Sequence, residues 1–257
     1  MKTVLTIAAS DPSGGAGIQA DLRAITAHGL YGMAAPTALT VQNTLGVTGV
    51  QIIDPGFLGQ QLCAVLSDIP PDAVKIGAMP GVAHARVTAE LLREFGAGNV
   101  VFDPVLASTG GVALGAPEAV GILAPCVSLL TPNLPEAAKL LGRDPAELAA
   151  PAEIESAARE LVKRFRTAVL LKGGHRTDGS FDDYFLSREG DGAWLPTRVA
   201  SPCGNHGTGC LLSSSIACGL ASGLTMLESI RRAKERLSDA LARGLSLGYG
   251  NSPVDFR

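Results

Sequence analysis

The chain alternates short, unbroken apolar runs with longer stretches whose apolar residues recur every three or four positions. Unbroken runs of about four to eight residues suit strands buried on both faces, whereas three-and-four spacing marks a helix with one buried face. On that basis Val4–Ala9 predicts a first strand and residues 18–28 a helix. Ala34–Val41 and Val47–Ile53, parted by a turn at Gly46, predict two further strands. The alternation then continues with a helix near 57–66, a strand at 74–76, a helix at 82–95 and a strand at 100–102. Residues 118–123 predict a helix with Pro117 in its first turn, then come a strand at 127–130 and a helix at 135–141. A helix at 152–165 leads into a strand at 168–171. Tyr184–Ser187 and Trp194–Val199 flank the turn-rich EGDG and predict an antiparallel pair. Two helices close the pattern, at 208–221 and 226–243, the second opened by a capping box at Thr225 and Glu228.

Repeated strand–helix alternation predicts an α/β fold: a mostly parallel sheet between two helical layers, in a single domain over residues 1–257. Composition narrows the partners. A net charge of -3, one Trp and three Tyr give neither a basic field nor stacking platforms, so nucleic acid is excluded. Five cysteines without a CxxC pair, and four isolated histidines, give no zinc-ligand spacing. The N-terminal apolar run ends at Asp11 after only six residues, too short for a secretory signal, and no run is long enough to span a membrane. The expectation is a soluble cytoplasmic protein without membrane contact.

Ligands of open α/β sheets sit beyond the C-terminal strand ends, and that is where the polar and Gly-rich motifs fall. The segment SDPSGGAGIQAD at 10–21 follows the first predicted strand. Its Gly15-x-Gly17-x-x-Ala20 imitates a dinucleotide fingerprint, but no acidic residue lies between Asp21 and Asp54, where that motif needs one. The polar cluster of Ser10, Asp11 and Asp21 points instead to a small polar substrate. The second motif, Asn205 through Cys210, opens a Ser-rich apolar helix. Its glycines, Gly207 and Gly209, admit a ligand close to the backbone, and the first amides of a helix converge on an anion. Cys210 falls in the first turn, where the helix dipole is expected to favour a thiolate. Cys218 reads as an inert core thiol. Asp103, then Asn133 with Glu136, then Lys172 follow three other strands. Singly they could cap turns or helices or carry solvated charge; together they could supply metal ligands and a cation for phosphoryl transfer.

LTIAASDPSGGAGIQADL at 5–22, ALTVQNTLGV at 38–47, VKIGA at 74–78 and DPVL at 103–106 form a specific set with LTPNLPEAAKLLG at 130–142, VLLKGGH at 169–175, HGTGC at 206–210 and GYGNSP at 248–253. The set resembles the hydroxymethylpyrimidine and phosphomethylpyrimidine kinases of thiamine biosynthesis, a branch of the ribokinase-like fold. The resemblance implies a three-layer α-β-α fold with a small flap at 34–53 that doubles as a homodimer contact. It implies transfer of the ATP γ-phosphoryl to the alcohol of 4-amino-5-hydroxymethyl-2-methylpyrimidine and then to its monophosphate, with Mg2+. Asp21 and Gln42 would bind the pyrimidine edge, and Gly207, Thr208 and Gly209 would form the anion hole. Cys210 would be the base, Asp103, Asn133 and Glu136 would organise Mg-ATP, and Lys172 and Lys234 would neutralise phosphates. The chain departs from the pattern at Ala9, Ala78 and Asn205, and at Ala107-Ser108-Thr109-Gly110, which lacks a lysine. Alternatives are a kinase of the monophosphate alone, a pyridoxal kinase, and a non-catalytic pyrimidine-binding protein.

Overall fold

The computed structural model describes residues 1–108, 110–174, 182–197, 204 and 206–257. Thr109, His175, Val199, Cys203 and Asn205 lie outside the described residues, as does the end of the strand predicted to reach Val199. Among the described residues, nine strands form one sheet in the order β3-β2-β1-β4-β5-β6-β7-β8-β9. They are β1 Thr3–Ser10, β2 Tyr31–Asn43, β3 Gly46–Ile52, β4 Ala73–Ile76, β5 Val100–Phe102, β6 Leu129–Leu130, β7 Ala168–Leu171, β8 Asp183–Leu186 and β9 Gly192–Leu195. The six strands from β2 to β7 pair in parallel, while β3 at one edge and β8 and β9 at the other are antiparallel.

Both faces of the sheet are covered, which is why its strands read as unbroken apolar runs. Leu5 and Ile7 of β1, Val74 and Ile76 of β4, and Phe102 of β5 pack towards α2 (Pro55–Asp68), α3 (Val82–Glu94), α4 (Pro117–Leu123), α5 (Leu134–Leu141) and α6 (Pro151–Phe165). Their neighbours Val4, Ala73 and Val101 point the other way, onto α1 (Gly17–Ala27), α7 (Thr208–Ala221) and α8 (Met226–Arg243). The result is the expected three-layer α-β-α architecture. Pro117 begins α4 as predicted. The capping box predicted at Thr225 forms only by half: Thr225 accepts from the Glu228 amide at 3.3 Å, but the Glu228 carboxylate turns to Arg232 at 2.7 Å. An ion pair one helical turn away competes for that carboxylate.

β2 is longer than its apolar run because it serves two partners. Its first half lies beside β1, and its second half runs on to pair with β3 as an antiparallel hairpin. This hairpin, at the edge of the sheet, matches the expected flap, and Leu39, Val41, Leu45, Val50 and Ile52 are exposed on it.

Candidate active site

A cleft of about 620 Å³ opens at the C-terminal ends of β1, β4, β5, β6 and β7. After β1 the chain folds around Asp11, whose carboxylate accepts from Ser13 N–H at 2.9 Å and Ala16 N–H at 2.8 Å. Burial opposes its charge, yet the bonds from His206, Ser13 and Ala16 hold its carboxyl below the usual value. The glycines of this turn have packing reasons. A methyl on Gly15 would stand 2.4 Å from the His206 ring, and one on Gly17 2.3 Å from the Ala9 carbonyl oxygen. Gly15 brings this loop against the HGTG loop and Gly17 lets it fold back on the end of β1, so close packing accounts for the Gly-x-Gly pair without a dinucleotide.

Gly207 caps α7 with φ 85°, and its own Cβ position lies 2.0 Å from the Gly15 carbonyl oxygen. The first rung of α7 runs from Leu211 N–H to Gly207 O at 2.9 Å. The amides of Thr208, Gly209 and Cys210 therefore precede the helical ladder, and all three residues line the cleft. A methyl on Gly209 would meet Asp103 Oδ2 at 3.1 Å and Lys172 Nζ at 3.4 Å. The helix start thus abuts the charged groups carried by β5 and β7. Cys210 is in the first turn as expected, but its thiol is not activated at rest. Burial pushes it up to about 12, with Asp21 and Asp103 adding to the rise, while Lys75 and the Gly17 amide pull it back. The expected thiolate is corrected on this ground: burial in the ligand-free cleft outweighs the helix start.

Lys172 Nζ donates to Asp103 Oδ1 at 2.6 Å, and Thr131 Oγ1 donates to the same oxygen at 3.3 Å. Burial works against the lysine's charge, but Asp103 and Glu136 raise its pKa overall, so it stays a cation. Asn133 and Glu136 form a full capping box on α5: Asn133 Oδ1 accepts from Glu136 N–H, and Glu136 Oε2 from Asn133 N–H, each at 2.8 Å. The Asn133 side-chain oxygen is thereby committed to the helix rather than offered to a nucleotide. Burial pushes the Glu136 carboxyl up to about 7, with Lys172 opposing and Asp103 reinforcing.

Among the described residues no group of three or more His, Cys, Asp or Glu is arranged to hold a metal. Asp103 and Glu136 still fit Mg2+, which takes one or two carboxylates and fills its shell with water and phosphate oxygens. Two carboxylates share one lysine here, and a cation would relieve both the burial of the Glu136 carboxylate, the main cause of its raised pKa, and its repulsion from Asp103. Ionised Glu136 also strains the fold. Its folded pKa lies above its ordinary 4.5, so its contribution to stability falls as pH rises through that interval towards 7. Glu136→Gln, which keeps the capping geometry, is expected to add ~1–3 kcal/mol at pH 8 and little at pH 5. Thermal melts at the two pH values check this; equal shifts at both would refute the charge strain.

Lys234 lines the cleft but is not a free phosphate ligand: Nζ donates to Asp183 Oδ2 at 2.7 Å and Thr197 Oγ1 at 3.0 Å. Asp183 also accepts from Gly173 N–H at 2.8 Å, so Lys234 anchors β8 to α8. Ala9 and Ala78 join Ala38 in a small buried apolar patch with Val105 and Leu114 alongside. Four of these five residues, all but Ala38, line the cleft and give it an apolar wall. Gln42 faces it from the flap, with Nε2 3.3 Å from His206 Nε2 and Oε1 accepting from Thr40 Oγ1 at 3.1 Å. His206, which sequence reasoning missed, is held by its backbone to Ser252 and Val254 of the C-terminal tail.

Asp21 does not reach the cleft. It is fully buried, and its oxygens accept from Thr6 Oγ1 at 2.6 Å, Ser214 Oγ at 2.9 Å and Lys75 Nζ at 2.8 Å. The expectation that it binds the pyrimidine edge is corrected: the residue is fully buried in this polar cluster and does not line the cleft. Lys75 lines the cleft in its place. The signal for it was a lysine inside the otherwise apolar run AVKI.

A mostly parallel α/β sheet whose strand ends gather the start of a Gly-rich helix, a carboxylate–lysine pair and an apolar wall is the arrangement of a small-molecule kinase of the three-layer class. The comparisons agree. The phosphomethylpyrimidine kinase family model matches residues 11–255. The chain belongs to that family, and it is a kinase. The hydroxymethylpyrimidine/phosphomethylpyrimidine kinase of Escherichia coli K12 is 41% identical over 256 residues, covering 97% of this chain and 95% of that one. A crystal structure of phosphomethylpyrimidine kinase from Clostridium difficile 630 superposes with a TM-score of 0.80 at 35% identity, over 93% of this chain and 99% of that one. The pyridoxal kinase of Staphylococcus aureus in complex with AMP-PCP and pyridoxal gives 0.88 at 30% identity, over 100% and 93%. Related kinases thus bind ATP analogues. Among the described residues no helix is long and apolar enough to cross a membrane.

Proposed function

We propose that the chain, acting as one domain in the cytoplasm, transfers the γ-phosphoryl of ATP to 4-amino-5-hydroxymethyl-2-methylpyrimidine and then to the monophosphate. The observation that carries this reading is the abutment of the α7 start on Asp103 and Lys172, in the same cleft as the Ala9–Ala78 wall. The amides of Thr208, Gly209 and Cys210 stabilise the charge that builds on the migrating phosphoryl group. Lys172 offsets phosphate charge, and Asp103 and Glu136 hold Mg2+. When bound, the metal neutralises and orients the phosphate oxygens. Gln42 presents an amide to the aminopyrimidine edge, while Ala9 and Ala78 flank the ring. Cys210 takes the acceptor proton as the new P–O bond forms.

Product analysis with Mg-ATP and the pyrimidine alcohol, followed over time, tests this. Monophosphate followed by diphosphate is the expected result; failure to convert either the alcohol or its phosphate overturns it. Pyridoxal, which also carries a ring hydroxymethyl group, is the second acceptor to include, because the pyridoxal kinase superposes over the whole chain. The exposed apolar residues of the β2–β3 hairpin support a homodimer through the flap. Sedimentation equilibrium checks it.

A further inference from the structure

Beneath the helix start lies a polar cluster in the layer between sheet and helices. Thr6 and Lys75 are register neighbours on β1 and β4, and both point to the α1 and α7 side, opposite the faces of Leu5, Ile7, Val74 and Ile76. Asp21 of α1 lies between them and Ser214, which is one turn beyond Cys210 on α7. Both members of the Asp21–Lys75 pair have fully buried side chains, and α7 packs directly on β4. A Cβ on Gly77 would stand 2.9 Å from Lys75 Nζ, so that glycine keeps the ammonium's surroundings open where it meets the cleft. Burying an ion pair this deeply is costly, and a hydrophobic pair of similar volume often serves stability as well or better. Stability alone therefore does not explain the pair.

We propose that Lys75 is a positioning residue for phosphoryl transfer: its ammonium, pinned by Asp21 under the start of α7, supplies the fixed positive charge that lets the Cys210 sulfur exist as an anion. The inference rests on the base role proposed for Cys210. In the step it serves, the acceptor O–H proton passes to the sulfur and the acceptor oxygen bonds to the γ-phosphorus. The bond from that phosphorus to the bridging oxygen breaks, and its electron pair leaves with ADP. The charged groups around the sulfur are Lys75 from β4, Asp21 from α1, Asp103 after β5 and Lys172 after β7. Lys75 exerts the largest of these charge effects on the thiol and is the one that favours the anion most.

The test compares wild type, Lys75→Met and the double variant Lys75→Met with Asp21→Asn, which removes both charges and so guards against simple misfolding. Iodoacetamide labelling of Cys210, read by peptide mass spectrometry at pH 8 without substrate, should slow by roughly tenfold or more in Lys75→Met, because thiolate is the reacting form, and by less in the double variant, where loss of the opposing Asp21 charge offsets part of the effect. The turnover number should fall in parallel, with KM for the pyrimidine moved less. In a Cys210→Ser background, Lys75→Met should cause no further loss. Labelling and turnover in Lys75→Met that are no slower than in the double variant would overturn the proposal, as would a full further loss in the serine background. The labelling arm needs no substrate, so a wild-type protein inactive on the pyrimidine would sink the proposed function while leaving this test to run.

Discussion

Cys210→Ser is expected to lower kcat by about 10²–10⁴-fold, the usual worth of one general base, with KM for the pyrimidine nearly unchanged. The direction follows from the site. The sulfur lies in the first turn of α7 beside the amides proposed to receive the phosphoryl group, but it is not part of the apolar Ala9–Ala78 wall. The pH profile sharpens the prediction. The thiol is raised from its ordinary 9.0 to about 12, so the thiolate fraction grows with pH throughout the range in which the protein can be assayed. Log kcat should therefore climb with pH in the wild type and flatten in the serine variant. A loose transition state, in which the proton leaves late, lets so scarce a base suffice. Wild-type turnover in Cys210→Ser, or an unchanged pH slope, would remove the thiol from proton transfer and leave the anion hole standing.

Strands, helices and the place of the site were legible because each rests on local chemistry. Short unbroken apolar runs of strand length, alternating with helical spacing, fit strands covered on both faces, and polar loops following parallel strands gather at one sheet edge. What escaped depends on partners distant in sequence. Asp21 looked like a ligand because it ends a Gly-rich loop; Lys75, 54 positions away, makes it a buried counterion instead. Lys234 is tied to the phosphates by resemblance alone, and its pairing with Asp183, 51 positions away, gives no sign in the sequence. The Cys210 pKa was misjudged for the same reason. A helix start acts locally and can be read from sequence, whereas burial, which dominates here, is a property of the whole fold. The capping alternative for Asn133 was legible, since Asn followed three residues later by Glu is itself a local rule.

Gly207→Ala is expected to cut kcat/KM by about 10²–10³-fold, the loss that follows when an oxyanion-type donor is displaced. The two halves of the site meet at this residue. Its φ of 85° disfavours any Cβ, and the position a Cβ would take lies 2.0 Å from the Gly15 carbonyl oxygen. The obstacle is backbone, so it cannot swing aside as a flexible side chain would. Either the 11–16 loop retreats or α7 begins differently, and in both cases the start of α7 shifts against the Asp103 and Lys172 side chains that it abuts at Gly209. Backbone strain alone is worth ~1–3 kcal/mol of stability, which would confuse the result without a control. The fold provides one. Gly223, between α7 and α8, has the same φ of 85° with nothing within 4 Å of its Cβ position. Gly223→Ala should therefore lose a similar strain energy in denaturant unfolding yet keep full turnover. If both variants kept their activity, the contact between the two glycine loops would not be what assembles the anion hole. If Gly223→Ala lost as much activity as Gly207→Ala, global destabilisation rather than a shift of the α7 start would explain the loss.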